Sequence, residues 1–81
     1  MTRIHPRFET VAAWAIERIG PAHLRTLADR IAEGGPPAGI VHAVPVPGFA
    51  EVARRILDEQ LSLGIPGDAA AIYLHGVAAG Y

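Results

Sequence analysis

Apolar side chains recur along this chain at intervals of three and four residues, the spacing of one face of a helix, and they do so in four separate runs. The first comprises Phe8, Val11, Ala12, Ala15, Ile16 and Ile19. It starts near Pro6, a residue favoured in a helix's first turn, and ends at Gly20-Pro21. Pro21 opens the second run, where Leu24, Leu27, Ala28 and Ile31 form the stripe and His23, Thr26, Arg30 and Glu33 point away. Gly34-Gly35-Pro36-Pro37 stops it. The third helix is predicted from Gly48 to Leu63, with Phe49, Val52, Ala53, Ile56, Leu57 and Leu61 facing inward. Its outer face sets Glu51/Arg55, Arg54/Asp58 and Arg55/Glu59 at i,i+4 pairing distance. Gly64 ends it, Ile65-Pro66-Gly67 makes a turn, and Asp68 suits the N-cap or first turn of a fourth helix reaching Ala79. That last helix is apolar nearly all round, which predicts a central position or a cover from outside.

Between the second and third runs the chain changes character. Residues 34–48 are rich in glycine and proline, and within them residues 39–44 fit a short strand or one helical turn equally well. Pro45-Val46-Pro47 favours an extended exit, and the apolar content predicts packing across the helices. The fold class expected is therefore all-α: one four-helix domain over residues 1–81, with a Pro/Gly-rich crossover between helices 2 and 3.

Composition narrows the chemistry. The chain has 81 residues, of which 51% are hydrophobic and 19% charged, and a formal net charge of -1. All seven basic residues are arginines, and lysine, cysteine and asparagine are absent. Phosphate-binding or Schiff-base lysines, thiol nucleophiles, disulfides and cysteine-zinc sites are thereby excluded. The near-neutral balance argues against direct nucleic-acid binding. Lack of lysine and asparagine beside abundant alanine, glycine, proline and arginine suggests a GC-rich bacterial genome. Glu9, Glu17 and Arg18 interrupt any signal-peptide core, and the apolar stretch 69–81 is shorter than the roughly 20 residues that span a bilayer. A cytoplasmic location away from membranes is expected.

Few residues combine into a site. The four histidines, His5, His23, His42 and His75, fall in different segments, so no metal or cofactor is expected. His42, in an apolar run beside a flexible stretch, is either satisfied by backbone groups or, with a carboxylate in a pocket, the one enzymatic candidate. Ser62 is the only serine and lacks a nucleophile-elbow context. Helices 3 and 4 have a helix-turn-helix rhythm, but the second element offers alanine and an acid where a duplex reader needs polar or basic groups. Trp14 lies roughly 130° from the centre of the first stripe on a helical wheel. It is either an interface anchor or covered by the Pro-rich middle segment.

The order of segments resembles the helical N-terminal region that precedes the phospholipase-D-like nuclease domain in DISARM-type bacterial antiphage defence proteins. The likeness is carried by residues 20–28 (Gly-Pro-Ala-His-Leu-Arg-Thr-Leu-Ala), by Val46-Pro47 and by residues 61–71 (Leu-Ser-Leu-Gly-Ile-Pro-Gly-Asp-Ala-Ala-Ala). The nuclease motif of that family requires a lysine, which this chain does not have. The resemblance therefore implies an accessory or docking domain and carries over no catalytic residue.

The function expected is a non-enzymatic interaction module: a small adaptor subunit, or a homo-oligomer, in a prokaryotic antiviral defence complex. The candidate partner-binding residues are Trp14, Phe49, Ile72, Tyr73 and Tyr81. A core this small leaves little surplus over chain entropy, and with no disulfide available a partner surface becomes the natural supplement. The alternative is a small helix-turn-helix-like DNA-associated regulator, for which Arg3, Arg7, Arg25, Arg54 and Arg55 would have to share a face.

Overall fold

A computed structural model describes residues 4–81. Its four helices are α1 (Pro6–Glu33), α2 (Pro37–Val41), α3 (Phe49–Leu63) and α4 (Gly67–Gly80). The number of helices matches expectation, but the partition differs. The first two predicted helices are the two arms of α1, and the fourth member is α2, inside the crossover.

α1 begins at His5, whose ring Nδ1 accepts from the Arg7 amide at 3.0 Å and so caps the helix. Halfway along, Gly20 leaves helical geometry at φ 80, ψ 166. Pro21 follows without an N–H to donate, and the His23 ring Nδ1 donates to the Ile19 carbonyl at 3.1 Å across the break. The bend is sharp. A straight helix of this length would measure about 42 Å, whereas the longest dimension of the domain is 35 Å. Phe8 and Asp29, which such a helix would hold about 31 Å apart, touch Tyr73 and His75, two positions apart on α4. The Gly20-Pro21 boundary read from sequence is thus a physical one.

Both stripes of α1 are buried throughout. They form the spine of the domain: α3 and α4 each pack on α1, and α4 makes at most marginal contact with α2 or α3. Alanines at 70, 71 and 78 with Leu74 give α4 a smooth inner face that seats closely. At its first turn, a Cβ on Gly67 would stand 3.3 Å from the Ile31 carbonyl. Glycine is what lets the start of α4 lie against the end of α1.

The ambiguous segment 39–44 is helical at its start. Pro36 is extended, Pro37 takes the first turn of α2, and the amides of Gly39 and Ile40 both donate to the Pro36 carbonyl. Ile40 and Val41 are consecutive and both buried, which a turn of helix achieves and a strand, with its alternating faces, does not. Val44 and Val46 then pack against the core, as the apolar content of the crossover predicted.

α3 departs from expectation at its end. Phe49, Val52, Ala53 and Ile56 are buried, but Leu61 is 83% exposed. At 100° per residue Leu61 sits roughly 120° from the centre of that stripe, while Gln60 lies on it. Gln60 instead turns inward, and its amide donates to the Ile65 carbonyl at 3.1 Å, pinning the turn between α3 and α4.

Candidate functional site

The candidate contact residues do not gather on one surface. Phe49 is a correction: it has no exposed area, because it opens the buried stripe of α3, and it offers nothing to a partner. Tyr73 is half-buried, its ring edge-on to Phe8 with centroids 6.0 Å apart. Ile72 and Tyr81 are open, at 73% and 66% exposure. The Tyr81 hydroxyl donates to Glu17 at 3.3 Å, drawing it toward α1.

Trp14 is partly buried in the seam between α1 and α3. Two guanidiniums lie over it: Arg18 and Arg55, 5.0 and 5.4 Å from the ring centroid. The expected pairs within α3 give way to ties across the seam. Glu59 accepts from Arg7 at 2.9 Å and Glu51 accepts from Arg18 at 3.0 Å. Glu59 is drawn in because it flanks the buried stripe of α3 and faces α1. Beside Trp14 the seam opens into a hollow of about 440 Å³ lined by Pro6, Arg7, Thr10, Val11, Arg55 and Glu59. Sequence offered one sign of this place, the off-face tryptophan. The arginine from the other helix became visible only with the packing.

The outward side of α4 is the second feature. Asp68 is its only formally charged residue, and from there to Tyr81 the only other strongly polar side chain is His75. His75 is turned to the rim, where Nε2 meets Asp29 at 2.8 Å. Exposed Ile72, Gly76 and Ala79 follow one another at i, i+4 and i+7 along the open face. A Cβ on Gly76 would meet nothing within 4 Å, so packing inside the chain does not require glycine there.

His42 is exposed at the end of α2 and shares a hollow of about 260 Å³ with Arg54 and Asp58, with no hydrogen bond joining it to either. Among the described residues no three histidine, aspartate or glutamate side chains converge as a metal cage does. No helix among them is long and apolar enough to cross a membrane. Of the arginines named for a DNA face, Arg3 lies outside the described residues, Arg7 is bound to Glu59 and Arg55 lies on Trp14.

Burial holds the Tyr73 phenol above its ordinary 10.0, and the nearby Glu9 carboxylate pushes the same way. The folded chain therefore holds this proton more tightly than the unfolded chain. The resulting stability is complete below pH 10.0 and is lost as pH rises through the folded value. Urea midpoints should fall between pH 8 and pH 11 in the parent and fall less in Tyr73→Phe; equal falls would remove Tyr73 as the source.

No family model, curated protein or solved structure matches this chain.

Proposed function

We propose that the chain is a non-enzymatic protein-interaction module, a small helical adaptor that docks a partner protein or a second copy through the outward face of α4. The observation that carries this is Ile72, 73% exposed on an open helix face whose one formal charge, Asp68, sits a turn earlier at the start of the helix. Gly76 supports it. A helix-interior glycine destabilises by about 0.5–1 kcal/mol relative to alanine, and among the described residues nothing occupies the space its missing side chain leaves. A helix laid across the face explains both, since a small residue lets two backbones approach closely. The likeness of residues 20–28, 46–47 and 61–71 to the helical region of defence-system proteins supports an antiviral complex as the setting.

Two substitutions test the reading. Gly76→Ala should raise the stability of the isolated chain by about 0.5–1 kcal/mol while weakening association. Ile72→Glu should abolish association without unfolding the chain. Sedimentation at micromolar concentrations measures self-association, and cross-linking from cell extract identifies a partner whose contact maps to α4. A parent chain that stays monomeric and makes no Ile72-dependent contact would sink the proposal.

A further inference from the structure

Two guanidiniums share the Trp14 ring, and they differ in what their edges do. Arg18 lies on the indole and its Nη1 donates to the Glu51 carboxylate at 3.0 Å. Arg55 lies on the same indole and has no carboxylate partner among the described residues. The acids one turn away on its own helix, Glu51 and Glu59, are held by Arg18 and Arg7. A stacked guanidinium uses its face and keeps its in-plane N–H groups, whose fork matches a carboxylate. Arg55 lines the hollow of about 440 Å³, whose apolar walls are Pro6, Val11 and Trp14.

We propose that this groove binds an acidic peptide segment of a protein partner. Arg55 takes one carboxylate, as Arg18 takes Glu51, and the neighbouring apolar side chain of the peptide rests on Val11 and Trp14. Charge selects a peptide over a nucleic-acid strand. Glu59 lines the hollow, Glu51 stands beyond Arg18, and both oppose a run of phosphates, whereas a single carboxylate needs only Arg55. The groove lies between α1 and α3, so the inference does not rest on the α4 face.

Trp14 is the only tryptophan, so its fluorescence reports on this groove alone. The probe is the capped tripeptide acetyl-Leu-Glu-Leu-amide, compared with its glutamine counterpart. The glutamate peptide should give a saturable change, and the glutamine peptide should bind at least about tenfold more weakly. Arg55→Gln should lose the response by a similar factor, and Ile72→Glu should keep it. If Arg55→Gln fails to fold by circular dichroism, the two peptides on the parent decide the matter alone. No saturable change, equal binding of both peptides, a tighter response to oligothymidylate, or loss in Ile72→Glu alone would overturn the proposal.

Discussion

Leu74→Ala should loosen α4 from the domain and lower its stability by about 3 kcal/mol. Leu74 is the one large side chain on the inner face of α4 with no exposed area, and its buried companions are Ala70, Ala71 and Ala78. Truncating it leaves a cavity between α4 and α1 that three alanines cannot collapse to fill. The other sizeable side chains that α4 turns to the core, Tyr73 and Val77, are only partly buried, and the helix scarcely touches α2 or α3. The ties at its edges, His75–Asp29 and Tyr81–Glu17, are exposed and contribute little. For a domain of this size the loss corresponds to a melting temperature lower by on the order of 15 °C. Hydrogen exchange should show the amides of α4 opening before those of α3. Uniform loss of protection would instead mean that α4 and the rest unfold as one unit.

Gly20→Ala should be nearly as damaging, by about 2 kcal/mol, though an added Cβ there meets no atom within 4 Å. The penalty is conformational. At φ 80, ψ 166 the backbone lies in a region that is essentially glycine's own. An L-residue must either bear that strain or relax the bend, and relaxing it draws Phe8 and Asp29 away from α4. A D-alanine at the same position distinguishes strain from packing. Its mirror-image preference accommodates these angles, so a chain synthesised with it should unfold near the parent temperature. If both enantiomers destabilise equally, the bend is not what the substitution disturbs.

The legibility of this fold follows from which interactions are local. Gly20-Pro21 is a backbone signal, and it marked the break even though the helix resumes at once. The stripes of α1 and the first half of α3 were plain because burial on one side imposes the helical period. Leu61 departs from expectation because hydrophobicity alone does not locate the centre of a stripe, where the polar Gln60 lies instead. Residues 39–44 were too few for a period to emerge, and the distinction lay in consecutive burial of Ile40 and Val41. The ion pairs were misassigned for a related reason. Spacing within α3 shows which charges can meet on one helix, not that Arg7 and Arg18 approach from another. The outward α4 face was visible as an excess of apolar residues, while the groove at Trp14 belongs to two helices and to neither alone.

The edge-on contact of Phe8 with Tyr73 joins the beginning of the first helix to the middle of the last. On the ribosome this sets an order of events. The N-terminal arm of α1 emerges early and can coil, but the ring against which Phe8 packs is not made until α4 is under synthesis. For that interval the nascent chain carries an unfinished apolar surface along its spine. Closing the core is therefore a late step, and substitutions in α4 bear on how long newly made chains stay open to aggregation as well as on how tightly finished ones hold.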